Sequence, residues 1–371
     1  MKTYPLSALL GRMKYITRWS LMRNGRPESL SEHTADTALL AHTLCLIARR
    51  CTGTGAGLRP EVVATAALYH DAPEILTGDM PTPVKYKNES LRAAYKAVEQ
   101  ESARVMASLH PDELRAETEA YLTGSILNDA ERKVLKAADR LSALIKCIEE
   151  SQGGNREFEA ARRQQLDALH AMETYPFNAL LGRMKYITRW SLMRNGRPES
   201  LSEHTADTAL IAHTLCLIAQ RCTGTGAGLR PDTVATAALY HDAPEILTGD
   251  MPTPVKYKND ALRNAYKAVE AQSAHTIASL LPEELADIGE IYLTGTVLND
   301  AERKLLKAAD RLSALIKCLE ECQAGNREFE AALAQQRQAL EQMHSPEADY
   351  FIEHMLPCYA QNLDELTRGR F

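Results

Sequence analysis

No part of this chain alternates polar and apolar residues as a half-buried strand does, and no apolar run reaches the ~20 residues of a bilayer-spanning helix. β-rich folds and helical membrane anchors are therefore not expected. Positive charge is not in excess: 43 lysines and arginines stand against 49 acidic residues, a net charge of −6. That balance disfavours binding to duplex nucleic acid. The eight cysteines form no CxxC pair, which removes the commonest zinc and dithiol spacings. Cys45, Cys147, Cys216 and Cys318 sit instead within apolar helical patterns, as small core residues. The N-terminus lacks the apolar core of a signal peptide. Reduced thiols and a cytoplasmic location are the expectation.

What the chain does have is itself, twice. Residues 5–88 recur as 176–259 at an offset of 171, with only six of 84 positions changed: Leu6/Phe177, Ser7/Asn178, Leu40/Ile211, Arg49/Gln220, Glu61/Asp232 and Val62/Thr233. A period of this length is a domain, not a solenoid repeat. Two tandem domains are expected, 1–171 and 172–371. Met172-Glu173-Thr174-Tyr175-Pro176 echoes the chain's own start, and no Gly/Ser- or Pro-rich linker separates the copies. The second copy carries an extra segment, 343–371, that the first lacks.

The segments are rich in Ala, Leu, Glu, Lys and Arg with a period near 3.6, so the class is all-α. In copy 1 the pattern predicts helices over about 6–18, 31–50 (with Ser31 as N-cap), 60–71, 89–109, 128–150 and 155–171. Asn128 and Glu131 form a capping-box start, and Pro73 should end the third helix beside His70-Asp71. Gly53-Thr54-Gly55-Ala56-Gly57 follows a helix and lacks a Walker lysine, so it reads as a connector.

On the second helix, His33 aligns with Leu40, Leu44 and Ile47 on the inward face, while His42 points the other way. An inward histidine alone is more often a satisfied core residue. His70-Asp71, however, closes an apolar helix, where unpartnered polar groups are costly. Asp139 borders an apolar stripe beside Leu135 and Ser142; taken alone, it could simply pair with Arg140 or Lys136. Two imidazoles and two carboxylates from three helices would hold one divalent cation and leave positions for water and substrate.

The order His33, His70-Asp71, Asp139 resembles the HD-domain metal-dependent phosphohydrolases. Arg18-Trp19-Ser20-Leu21-Met22-Arg23-Asn24, Ser31-Glu32-His33, the run from Tyr69 to Tyr86 and Lys136-Ala137-Ala138-Asp139 narrow the likeness to the bacterial HD-domain 5′-deoxynucleotidases. The resemblance implies two tandem HD-type helical bundles that hydrolyse deoxyribonucleoside 5′-monophosphates. It also implies one divalent metal ion per copy, such as cobalt or manganese. By position it makes His33, His70, Asp71 and Asp139 metal ligands. Arg18 and Trp19 become the substrate clamp, and Glu74 and Asp79 the catalytic or substrate-positioning carboxylates. Copy 2 matches with His204, His241, Asp242 and Asp310; Arg189 and Trp190; Glu245 and Asp250.

Elementary chemistry agrees with these roles. Arginine is a bidentate phosphate fork, tryptophan a flat apolar face, and a glutamate three residues after a ligand is placed to manage a water's proton. Lys85 would add positive potential, although a solvated lysine is the plainer reading. Since the related single-copy enzymes are dimeric, the tandem reads as a covalent pseudo-dimer open to further self-association. Another nucleotide substrate, a non-catalytic nucleotide sensor and a purely structural scaffold are the competing readings.

Overall fold

The computed structural model describes residues 2–79, 88–169, 176–251 and 259–367. Residues 80–87, which include Lys85, lie outside that set, as do 170–175 at the copy junction. The described residues form helices and no strand beyond two isolated bridges, Thr17 with Ser29 and Thr188 with Ser200. Among the described residues no helix is long and apolar enough to cross a membrane.

In copy 1 the helices are α1 (Leu6–Leu10), α2 (Leu30–Arg50), α3 (Pro60–Tyr69), α4 (Glu74–Thr77), α5 (Glu89–Ala107), α6 (Asp112–Leu122), α7 (Asp129–Gln152) and α8 (Glu159–Leu169). Copy 2 repeats them as α9 (Pro176–Leu181), α10 (Leu201–Ile218), α11 (Pro231–Tyr240), α12 (Glu245–Thr248), α13 (Asp260–Ala278), α14 (Glu283–Leu293), α15 (Asp300–Gln323) and α16 (Glu330–Glu341). It then adds α17 (Pro346–His354) and α18 (Leu363–Thr367).

Several boundaries differ from the sequence reading. The first helix is short: α1 tightens into a 3₁₀ turn at Gly11–Tyr15, and Ile16 is already extended. The chain leaves the helix there because residues 16–18 pair with 28–30, through Arg18 N–H to Glu28 O and Leu30 N–H to Ile16 O. The cap of α2 is Ser29, not Ser31. Ser29 Oγ accepts from Glu32 N–H while the Glu32 carboxylate accepts from Ser29 N–H, leaving Ser31 buried inside the helix. His42 does not face solvent: it is 1% exposed, because α2 is packed on all sides. Helices α4, α6, α12 and α14 were not anticipated. The capping box of Asn128 and Glu131 and the end of α3 before Pro73 stand as expected.

Two compact units emerge, and neither is continuous in sequence. One comprises Met1–Cys45, Ala56–Glu173 and Gln361–Phe371; the other comprises Leu46–Gly55 and Thr174–Ala360. In the first, α3 packs on α6 and α7, α7 on α8, and the C-terminal α18 on α1. In the second, α10 is buried along its whole length and packs on α11 and α15, with α17 laid against it. A helix apolar all round belongs at a bundle centre. Its alanines and threonines let neighbours approach closely, so three helices bring their polar residues to one point.

Candidate metal centre

His33 enters from α2, His70 and Asp71 from the turn after α3, and Asp139 from the middle of α7. His33 Nε2 lies 3.5 Å from Asp71 Oδ2 and 3.2 Å from Asp139 Oδ1, and His70 Nε2 lies 3.2 Å from Asp71 Oδ2. Copy 2 repeats this: His204 to Asp242 at 3.5 Å, His204 to Asp310 at 3.2 Å and His241 to Asp242 at 3.2 Å. Asp139 therefore turns to histidine rather than to Arg140 or Lys136.

The far side of each ring is fixed. His70 Nδ1 is 2.6 Å from Ala67 O, and a carbonyl only accepts, so Nδ1 carries a proton. His33 Nδ1 contacts Ser142 Oγ at 3.0 Å. Such outer hydrogen bonds hold an imidazole with Nε2 aimed inward. Burial opposes the His70 charge, but the Asp71 and Asp139 carboxylates outweigh it and raise the ring's pKa to about 9. Burial likewise opposes the Asp71 charge, yet His70, His33 and Arg18 hold it below the usual carboxylate range.

The donor set fits a divalent cation. Donor atoms of His33, His70 and Asp71, and of His204, His241 and Asp310, lie within 4.8 Å of one another in each group. His33 Nε2 and His70 Nε2 are buried with no hydrogen-bond partner, as is His241 Nε2. Two imidazole nitrogens and two carboxylates suit a transition metal, and buried nitrogens without partners are what a cation would satisfy.

Arg18 and Trp19 stand at the start of a pinned loop. Arg18 Nη1 donates to Glu28 Oε2 at 2.8 Å, and Glu28, Asp71, Asp139 and Asp79 secure its charge against the penalty of burial. Trp19 has φ +58°, a conformation a bulky side chain adopts only when its surroundings impose it. Asp79 Oδ2 accepts from Trp19 N–H at 3.3 Å, Asn24 Nδ2 donates to Trp19 O at 3.2 Å, and the Phe158 ring lies 5.4 Å away. Arg18 Nε and Trp19 Nε1 are both buried and neither has a partner; Arg189 and Trp190 repeat this in copy 2. The loop is held from below by Glu150, which accepts from Gly25 N–H, Arg26 N–H, Lys146 Nζ and Asn155 Nδ2.

Glu74 begins α4 and is buried, contrary to the plain reading of a solvated glutamate. In copy 2 a cavity of about 260 Å³ is bordered by His241, Asp242 and Glu245, and its far wall comes from α13 and α14. Arg189 and Trp190 are not among its lining residues.

Sequence reasoning missed Glu28, Ser142, Glu150 and Phe158, together with the α13–α14 wall. Ser142, one turn beyond Asp139, carried a signal in its spacing. Glu28 lay in a segment with no periodicity to read.

An all-helical domain that gathers His, His-Asp and Asp from three helices is an HD-type domain. The model of the 5′-deoxynucleotidase YfbR-like family matches at residues 5–178 and again at 176–359, and the chain belongs to that family. A 5′-deoxynucleotidase of Cronobacter sakazakii is 43% identical over 192 residues, 52% of this chain and 96% of the relative. One from Erwinia tasmaniensis is 44% identical over 193 residues, 52% of this chain and 96% of the relative. The 5′-deoxynucleotidase YfbR of Escherichia coli is 43% identical over 197 residues, 53% and 98%. Among solved structures, an HD-domain phosphohydrolase from Listeria innocua aligns with a TM-score of 0.45 at 24% identity, over 52% of this chain and 96% of that one.

Proposed function

We propose that each copy hydrolyses the phosphoester of deoxyribonucleoside 5′-monophosphates, with His33, His70, Asp71 and Asp139 holding a divalent cation such as cobalt or manganese. His204, His241, Asp242 and Asp310 do the same in copy 2. When bound, such a cation makes water more acidic and polarises a phosphoryl oxygen. The remaining steps belong to the chain. Arg18 offers its Nε–H to the phosphate while Glu28 fixes the guanidinium, so the donor is preorganised for charge that grows in the transition state. Trp19 offers Nε1–H and a ring face to the nucleotide. Glu74 takes the proton of the attacking water, and Asp79 keeps Trp19 in its strained conformation by accepting its N–H. Glu245, Asp250, Arg189 and Trp190 take these parts in copy 2.

The observation that carries this reading is a pair of buried donors without hydrogen-bond partners, Arg18 Nε and Trp19 Nε1, in the copy whose two ligand nitrogens make no hydrogen bond and face the Asp71 and Asp139 carboxylates. A phosphate and a cation together would satisfy all four. The matched relatives' name, 5′-deoxynucleotidase, supports the substrate, and the eight free cysteines suit a cytoplasmic setting. We read the tandem as a covalent pseudo-dimer of two active domains, about 1–171 and 172–371.

The test is phosphate release from deoxy- and ribonucleoside mono-, di- and triphosphates with several divalent metals. Deoxy monophosphates should be preferred. Equal release from ribonucleotides, or a preference for triphosphates, would overturn the substrate assignment. Glu74→Gln with Glu245→Gln should abolish turnover while two cations per chain remain bound; full activity would remove the glutamates from the mechanism.

A further inference from the structure

The cavity beside His241 and Asp242 has a wall that the metal set does not explain. Glu270, Ala271 and Ala274 of α13 and Leu293 and Thr294 at the end of α14 close it opposite Glu245. Beyond Asp242 and Glu245, which the cation and the attacking water would engage, its far wall adds a third carboxylate, Glu270, which disfavours a phosphate there. The rest is mostly small or apolar, and Arg189 and Trp190 are absent from it. A phosphate therefore belongs on the arginine side. This cavity suits the uncharged part of the nucleotide: apolar surface for a base, and carboxylate and hydroxyl oxygens for hydroxyl and amino donors.

Copy 1 repeats this lining at the offset of 171 with one exception: Gln100 stands where copy 2 has Ala271. Both positions are exposed on the corresponding helix, and Ala271 lines the copy 2 cavity. Alanine carries nothing beyond its Cβ there, whereas glutamine adds a longer, amide-tipped arm.

We infer that the two copies differ in base selectivity, and that position 100/271 sets the difference: the copy with Ala271 accepts the larger purine bases, and the copy with Gln100 favours pyrimidines. This rests on the deoxynucleotidase reading and refines it. Metal ligands, clamp and catalytic glutamates are the same in both copies, so discrimination falls to the one lining residue that changed. A duplicated enzyme with two differently lined cavities covers a broader range of deoxynucleotides than one with two identical sites.

The experiment uses the full chain with one site silenced at a time. Glu245→Gln leaves copy 1 active, and Glu74→Gln leaves copy 2 active. For each, kcat/KM is measured on dAMP, dGMP, dCMP and dTMP, and binding of deoxyadenosine and deoxycytidine is measured by calorimetry. The purine-to-pyrimidine ratio should be about three- to tenfold higher for copy 2 than for copy 1, the scale on which a pocket discriminates by size. Ala271→Gln in the copy 2 enzyme should lower its ratio to that of copy 1, and Gln100→Ala in the copy 1 enzyme should raise it. Both residues form helix readily and are exposed, so folding is preserved. Equal ratios in the two silenced enzymes, or ratios indifferent to the exchange, overturn the inference and leave the deoxynucleotidase assignment standing. Failure of both enzymes to hydrolyse any deoxynucleotide overturns the assignment and the inference with it.

Discussion

Glu150 makes more polar contacts than any of the four candidate metal ligands and never touches them. Its carboxylate gathers two backbone N–H groups, the Lys146 ammonium and the Asn155 amide. Burial opposes its charge, but those four donors outweigh burial and lower its pKa to about 2. Glu321 is held the same way in copy 2. A carboxylate whose folded pKa lies below its unfolded value stabilises the fold above the unfolded pKa, near 4.5. That contribution is lost as pH falls from there towards 2. Glu150→Gln should cost about 3 kcal/mol at pH 7, because Lys146 is left buried without its counter-charge. Near pH 2 the variant and the parent should converge. Denaturant melts of both proteins at pH 7 and pH 2.5 check this; a gap that does not shrink with acid would contradict it. A second residue-scale expectation concerns Glu28. Glu28→Gln leaves Arg18 buried but unanchored, and kcat/KM should fall by about tenfold or more with cation content unchanged.

At the scale of elements, the two copies offer a natural repacking experiment. In copy 1, His110 Nδ1 meets Thr118 Oγ1 at 2.8 Å, both buried, where α6 packs on the end of α5. In copy 2 the pair has become Leu281 and Gly289, and the Leu281 side chain fills the space that a Cβ at 289 would need. A polar pair has been exchanged for a large residue against none. Gly289→Thr alone should destabilise by about 1–3 kcal/mol through overpacking. Adding Leu281→His should recover much of that loss, as a double-mutant cycle of thermal melts would show. Losses that simply add would mean the positions are not coupled. The same helix pair shows where sequence reading stops. The long periodic helices and the cap at Asn128 were legible because each is written in neighbouring residues. So was the quartet of His33, His70, Asp71 and Asp139, because polar residues on apolar faces demand partners. Helix α6 was not, since its composition resembles a polar surface segment. The irregular stretch from Ile16 to Ser29 was not legible either: its shape comes from Glu150, more than a hundred residues away, and no local periodicity announces so distant a contact.

At the scale of the molecule, each copy keeps its four candidate metal ligands and its one proposed catalytic glutamate, Glu74 or Glu245. Purified protein should therefore bind two cations per chain by elemental analysis. Chelation should lower the melting temperature of both units, because a cation that binds only the folded form stabilises it by mass action. One cation per chain would contradict the symmetry of the two sites. The unit boundaries give a further expectation. Helix α18 belongs with the first unit and packs on α1, and its Leu366 is 1% exposed. Ending the chain after Ala360 should lower the melting temperature of the first unit by several degrees and spare the second. Calorimetry that resolves the two transitions, with limited proteolysis, would read this out.

That discontinuity also reverses the usual order of events on the ribosome. Domains generally mature as they emerge, the N-terminal one first. Here the unit that contains Met1–Cys45 waits for α18, made after the whole of the second copy's metal-site helices, whereas the other borrows Leu46–Gly55, already made. The half that is synthesised second is thus the one able to reach its native state first, and the nascent chain holds its earlier helices in readiness until α18 emerges.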